Sequence, residues 1–225
     1  MLFSSRVHLV RLESFIREAF IQRQHAVVVF FDLDKAYDCT WKYGIMKDLH
    51  QAGMRGRLPG FIEGFLTNRQ FSVRLGACLS GLFDQEMGVP RGSVLSVTLF
   101  ALKINSIVKA ISPDVECSLY VDDFLIVYRS KYIHQRHLNM LSHWADTNGF
   151  KFTSSKTVCM HFCRLRSAHP NPELTLNGTL IPVVEQTKFL GVIFDNKLTF
   201  LPHIRYLKEK CVILRVVAHT SWGAD

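Results

Sequence analysis

Two places in the chain put carboxylates where an apolar context makes them costly. Asp32 follows directly on the run Ala26–Phe31, and Asp122-Asp123 separates Leu119-Tyr120-Val121 from Phe124-Leu125-Ile126. A charge at the end of a buried strand is unfavourable unless the strand opens into a site. If the two strands lie side by side, Asp32 and Asp122 come together and repel. The natural counter-charge is then a pair of hard divalent cations. Mg²⁺ prefers oxygen donors and is typically held by one or two carboxylates plus substrate phosphates. Two such ions can activate a 3′-hydroxyl and stabilise the departing pyrophosphate of an in-line displacement. The plainer reading is turn acids at strand ends, where Asp is common for its local hydrogen bonding.

These acids need elements to hold them. Ala26–Phe31 is continuous and β-branched, which predicts a strand buried on both faces. Residues 117–121 and 124–128 are two apolar runs and predict a hairpin with both acids at its tip. Helical spacing covers 9–22, with Leu9, Leu12, Phe15, Ile16 and Ala19 on one face. It returns after Trp41, where Ile45 and Leu49 follow at four-residue steps before a stop at Gly53. A short helix is expected over 61–66, a strand over 71–75 with a partner near 82–87, and a long helix over 93–111. Further on come a helix over 133–148 ending at Gly149, a strand over 158–162 and a hairpin at Asn177-Gly178. A strand over 188–194 and a basic helix over about 200–218 complete the chain. Strands and helices mix without a strict βαβ rhythm, so the fold class is α+β.

Composition sets outer bounds. The 225 residues are 48% hydrophobic and 20% charged, as in globular proteins, and are enough for one domain with subdomains. The longest purely apolar run is too short to cross a bilayer, and the start lacks a secretory core, so an intracellular protein without membrane insertion is expected. Whether it works in nucleus or cytoplasm is not encoded. Six cysteines are scattered, and reduced thiols are the expectation. Cys159, His161 and Cys163 share a strand face but lack a second ligand pair, so no zinc is assigned. A net charge of +8, from 27 basic and 19 acidic residues, favours a polyanionic partner through counterion release.

The order of motifs is more specific. Phe31-Asp32-Leu33-Asp34-Lys35-Ala36-Tyr37-Asp38 is followed by Gly88-Val89-Pro90-Arg91-Gly92-Ser93 and then by Tyr120-Val121-Asp122-Asp123. After these come Gly149-Phe150 with Ser155-Lys156-Thr157, and last Lys188-Phe189-Leu190-Gly191-Val192. Over nearly its whole length the chain resembles the reverse transcriptases of non-LTR retrotransposons, jockey-like elements above all. The resemblance implies a right-hand polymerase palm, an antiparallel sheet packed on helices, with partial fingers and the start of a thumb. On that reading 1–225 is a single domain: about 26–40 and 93–194 form the palm, about 41–92 part of the fingers, and about 199–225 a truncated thumb start.

What the resemblance implies for function is RNA-directed DNA synthesis: nucleotidyl transfer from a dNTP to a DNA primer 3′-hydroxyl on an RNA template, with Mg²⁺ or alternatively Mn²⁺. Asp32, Asp122 and Asp123 are the implied catalytic acids and metal ligands, with the Leu33 carbonyl a further ligand. Lys156 matches a lysine that protonates or neutralises pyrophosphate. Tyr37 stands at the family's aromatic steric gate, where its ring rejects a 2′-hydroxyl by repulsion. Arg91 and Gly92 belong to the dNTP-binding loop, Gly92 permitting close backbone approach. Phe189, Leu190 and Gly191 fall in the primer grip. Asp34 and Asp38 read as solvated or helix-capping acids.

The chain also departs from the pattern. Arg91 replaces a glutamine and Val97 a frequent proline. The basic residues that hold the triphosphate upstream of the first motif, a full thumb and an endonuclease are not among these residues. A truncated or decayed remnant that folds and binds nucleic acid without catalysis is therefore a second reading. A third, a haloacid-dehalogenase-like phosphatase, uses Asp32 as covalent nucleophile and Asp34 as acid. It leaves Gly88–Ser93 and Leu190-Gly191 without a role, and Lys35-Ala36 replaces its usual Gly-Thr.

Overall fold

A computed structural model describes residues 4–113, 115–129, 135–165 and 170–221, with side chains as far as residue 212. In chain order the elements are α1 (Ser5–Ile21), β1 (Ala26–Phe31), α2 (Lys42–Gln51), α3 (Leu58–Leu66), β2 (Gln70–Phe71), β3 (Arg74–Leu75), β4 (Cys78–Leu79), β5 (Phe83–Asp84) and α4 (Val94–Ile104). A 3₁₀ stretch, Asn105–Ala110, leads to β6 (Glu116–Tyr120), β7 (Asp123–Tyr128), α5 (Gln135–Asn148) and β8 (Val158–Phe162). Two hairpins, β9 (Thr175–Leu176) with β10 (Thr179–Leu180) and β11 (Gln186–Phe189) with β12 (Val192–Asp195), precede α6 (Leu201–Ser221). Helices and antiparallel strands mix as the α+β class requires. The chain divides into two compact units, one of Met1–Phe31, Val115–His134 and Ser155–Asp225, the other of Asp32–Asp114 and Gln135–Ser154.

The first unit is built on a four-stranded antiparallel sheet in the order β6-β7-β1-β8. β1 lies at its interior and all six of its residues are buried, as a continuous Val/Phe run predicts. Ala26, Val28 and Phe30 face a core shared with Leu125, Val127, Met160 and Phe162. Helix α1 covers that face with Leu12, Ile16 and Ala19, a stripe at helical spacing. Phe189, Phe194 and Leu198 bring the β11–β12 hairpin and the turn after it into the same core.

That turn is built on strain and relief. Leu198 and Phe200 take φ of 54° and 58°, a conformation that costs L-residues about 1–2 kcal/mol each. Burial of Leu198 and the ring contact of Phe200 with Phe194 at 5.6 Å offset part of this. Asp195 supplies the rest: Oδ1 accepts from the Thr199 and Phe200 N–H groups at 2.9 and 2.7 Å, and Oδ2 from the Thr199 hydroxyl at 3.0 Å. Burial pushes the Asp195 carboxyl up, but these bonds and one from the Lys197 backbone together hold it below the ordinary value of 3.8. Because the folded pKa is depressed, the stabilisation is fully present above pH 3.8 and is lost as pH falls through the folded value. Asp195→Ala should therefore cost about 1–2 kcal/mol in urea unfolding at pH 7. The difference from wild type should narrow as pH falls below 3.8; a gap independent of pH would contradict the account.

The second unit is largely helical. Ile45 and Leu49 of α2, Ile62 and Leu66 of α3, Leu99, Phe100 and Ile104 of α4, and Leu138, Leu141 and Trp144 of α5 are its buried apolar residues. The long helix expected over 93–111 stops at Ile104 and tightens into the 3₁₀ turn. The Ser106 hydroxyl donates to the Lys103 carbonyl at 2.8 Å and so competes for an acceptor of the last helical turn. The strand expected over 71–75 is two short pieces: β2 pairs β5 and β3 pairs β4. Ser72 and Val73 interrupt the ladder, the Val73 N–H donating to the Ser80 hydroxyl at 2.8 Å. The third helix begins at Leu58, three residues before the expected start, with Pro59 in the first turn where a missing N–H is harmless. α5 stops at Gly149, φ 74°; the expected start at 133–134 lies outside the described residues.

Candidate active site

The acid-bearing hairpin forms as expected, with one refinement. β6 and β7 pair from Glu116↔Val127 to Tyr120↔Asp123, so only Val121 and Asp122 make the turn and Asp123 is the first residue of β7. Val121 has φ of 58°. Positive φ at the first central residue is the pattern of a type II′ turn, where Gly is the usual occupant. A β-branched residue there is an outlier, and such strain costs about 1–3 kcal/mol and clusters at functional sites. Asp122 and Asp123 are both exposed. The buried residues of β7 behind them hold the tip.

β1 pairs β7 in a register that ends at Phe31↔Phe124. Asp32 is the next residue in the chain, at the crossing from one unit to the other. It is half-buried, its Oδ2 fully so, and its carbonyl accepts from the Thr153 N–H at 2.8 Å. Leu33 is buried and bridged to Phe152, and the Asp34 N–H donates to the Lys151 carbonyl at 2.8 Å. The backbone on either side of the Leu33 carbonyl is thereby pinned. Lys156 is exposed in the turn before β8. Among the described residues no group of three or more His, Cys, Asp or Glu side chains is arranged to hold a metal ion.

In the helical unit Tyr37, Gly88 and Arg91 belong to one assembly. The Tyr37 ring stacks on Phe100, with centroids 4.2 Å apart and planes at 21°. The Val89 N–H donates to the Tyr37 carbonyl at 3.0 Å and the Gly88 N–H to the Thr40 carbonyl at 2.9 Å. A Cβ on Gly88 would stand 2.7 Å from the Asp38 carbonyl oxygen, so this glycine makes the close backbone approach. At Gly92 no protein atom lies within 4 Å of where a Cβ would stand, and its φ of 88° is what favours glycine there. Arg91 grips Asp38 through Nε at 3.0 Å and Nη2 at 2.7 Å. Asp38 is exposed, as a solvated acid is, but it caps no helix: it orients the side chain of Arg91.

Phe189, Leu190 and Gly191 lie at the end of the first unit's last hairpin. The strand expected over 188–194 is interrupted, because Phe189 pairs Val192 and Leu190-Gly191 forms the turn, with φ of 45° and 88°. Phe189 is buried against Phe30, centroids 5.4 Å apart, so the turn is anchored to the interior strand. The Asn177-Gly178 hairpin uses the same backbone signs with a residue suited to them. The strand bearing Cys159 ends at Phe162, just before Cys163; burial pushes the Cys159 thiol up to about 12, and His161 Nε2 lies 2.7 Å from His25 Nδ1.

The antiparallel sheet, with Asp122 in its strained two-residue turn and Asp123 at the start of the next strand, is consistent with a polymerase palm-like fold. Residues 3–194 match the family described as reverse transcriptase (RNA-dependent DNA polymerase), and the chain belongs to that family. It is 29% identical over 213 residues to the RNA-directed DNA polymerase from mobile element jockey of Drosophila funebris, covering 89% of this chain and 23% of that protein. The Drosophila melanogaster jockey polymerase is 28% identical, with 95% and 24% covered. The chain thus spans about a quarter of the length of these relatives. Among solved structures, telomerase of Candida tropicalis in complex with a TWJ fragment of telomeric RNA matches with a TM-score of 0.61. Identity there is 13%, over 88% of this chain and 33% of that one. That likeness is one of fold.

Proposed function

We propose that this chain is the nucleotide-joining core of an RNA-directed DNA polymerase from a non-LTR mobile element, taking an RNA template, a DNA primer and dNTPs. The observation that carries the reading is the β1–β7 register, which aligns the strand leading into Asp32 with the strand that begins at Asp123. On this reading 26–40 and 93–194 are the palm, 41–92 part of the fingers and 199–225 the start of the thumb.

Asp32, Asp122 and Asp123 are the ligands we assign to divalent metal. Their donors are all carboxylate oxygens, the set that suits Mg²⁺ or Mn²⁺, and one or two carboxylates suffice when substrate phosphates complete the shell. When bound, such ions lower the pKa of the attacking 3′-hydroxyl and offset charge on the leaving oxygen. The chain's own residues do the rest. Lys156 neutralises the pyrophosphate, Tyr37 bounds the sugar pocket, Arg91 and Gly92 line the nucleotide, and Phe189-Leu190-Gly191 supports the primer end. No helix among the described residues is long and apolar enough to cross a membrane.

The test is primer extension on an RNA template with Mg²⁺ or Mn²⁺. Template-dependent dNTP incorporation is expected. A folded sample that incorporates nothing with either ion would instead favour the catalytically silent remnant. Arg91 and Asp38 give a finer check. A side-on pair uses the Nε–H and one Nη2–H, leaving three guanidinium N–H groups for an acceptor on the nucleotide. Asp38→Asn should therefore raise the dNTP KM about tenfold with little change in kcat. An unchanged KM would show the pair to be only a loop tether.

A further inference from the structure

Apart from the acids, the helical unit has an open cleft of about 540 Å³ lined by α2, α4, the 3₁₀ turn and α5, a volume typical of small-ligand sites. Its chemistry is polar at the floor. The Lys103 side chain is only 4% exposed, with Nζ 3.2 Å from Asp48 Oδ2 and 2.9 Å from Asn148 Oδ1. A buried ammonium is tolerated only with such partners. Room for it is made by Gly44, where a Cβ would stand 2.8 Å from Nζ. The ammonium donates to Asn148, is ion-paired with Asp48 and stands 6.0 Å from the centre of the Trp41 ring.

The walls are aromatic. Trp144 is buried, and its indole N–H donates to the Ser106 hydroxyl at 3.0 Å, which fixes the ring. Trp41 is 40% exposed at the opening. Lys103 and Asp48 cancel in charge, whereas Lys47 and Lys109 at the mouth are exposed and have no ion-pair partner among the described residues. An apolar ligand would make no use of the polar floor or of the lysines at the mouth. A simple anion would make no use of the indoles. A planar ring with donors and acceptors at its edge, joined to a phosphate, satisfies both.

We propose that this cleft binds a nucleoside 5′-phosphate, either free or as one residue of single-stranded RNA, with the base against Trp41 and the phosphate on Lys47 and Lys109. Base–indole stacking and phosphate–lysine attraction are the two contributions that single-strand binders combine. The site belongs to the helical unit alone and does not depend on the polymerase reading.

Titrating AMP into the full chain in EDTA, with tryptophan fluorescence as the readout, tests it; EDTA keeps metal-dependent binding at the acids out of the signal. Saturable quenching is expected, absent in Trp41→Phe. Adenosine without phosphate, and AMP on the Lys47→Glu/Lys109→Glu double variant, should each bind at least about tenfold more weakly. A single-stranded oligo(A) that binds at least about tenfold tighter than AMP marks an RNA strand as the source, and equal affinity marks a free nucleotide. Absence of saturable quenching by either probe overturns the proposal. So does unchanged affinity in the double variant when its urea unfolding matches wild type.

Discussion

On the proposed function, Asp122→Asn should lower the rate of RNA-templated primer extension by at least ~100-fold, the loss typical of removing one preorganised electrostatic contact at a reacting centre. The substitution keeps the size of the side chain and removes its charge. Asp122 sits in a two-residue turn, exposed, with the ladder resuming at Tyr120↔Asp123, so the strands behind it lose nothing. Its urea midpoint should accordingly match wild type, as surface changes away from packed groups do. Asp123→Asn should fall between the two, because Asp123 begins the strand and points from the opposite side of the pleat to its neighbour Phe124. An Asp122→Asn protein that extends primers at the wild-type rate would remove this acid from the chemistry. One that fails to fold would show the turn carboxylate to be structural.

The parts of the fold legible in the sequence are those whose signal is local. Ala26–Phe31 reads as a buried strand because every position is apolar and most are β-branched or aromatic, and all six positions are buried. Asn177-Gly178 reads as a hairpin turn because both residues accept positive φ, and both have it. The β11–β12 hairpin was not legible: Leu190 carries no turn signal, and only the anchoring of Phe189 and Phe194 in the core makes φ of 45° there tolerable. Residues 71–75 alternate like one strand, yet a single hydroxyl, that of Ser80, diverts the Val73 N–H from the ladder. Tertiary partners decide both cases.

The candidate site divides in the same way. Its acids stand out because charge after an apolar run is rare, and the roles proposed for them rest on the motif order. What the sequence hides is the support. Asp38 and Arg91 are 53 positions apart, and no spacing rule links them. Val121 looks like an ordinary strand residue until its backbone places it where Gly belongs. Gly88 looks interchangeable with Gly92, but only Gly88 lies against the backbone at Tyr37 and Asp38. Each of these depends on which loop folds over which, information that no local window contains.

The gate role proposed for Tyr37 carries the clearest consequence for substrate choice. Rejection of a 2′-hydroxyl by contact works only if the ring cannot yield, because a ring free to rotate would accept the larger sugar at little cost. Tyr37 is held at its ring and at its backbone. Its ring stacks on Phe100 at 4.2 Å, and Phe100 in turn meets Phe150 edge-on at 6.3 Å, with Trp144 stacked on Phe150 at 5.4 Å. Its carbonyl is bonded by Val89, and the next residue is gripped by Arg91. Tyr37→Ala should therefore lower the preference for dNTP over rNTP, measured as the ratio of kcat/KM values, by about 100-fold, the scale of one pocket contact. Tyr37→Phe keeps the ring and should keep the preference, which separates bulk from the hydroxyl. Because the stack on Phe100 also contributes to packing, Tyr37→Ala should unfold earlier in urea while Tyr37→Phe does not. A uniform loss of both substrates would mean a packing defect, whereas selective gain of ribonucleotide use is the signature of a gate. If Tyr37→Ala still excludes ribonucleotides as strongly as wild type, discrimination lies elsewhere, and the Arg91–Asp38 pair beside it is the next group to vary.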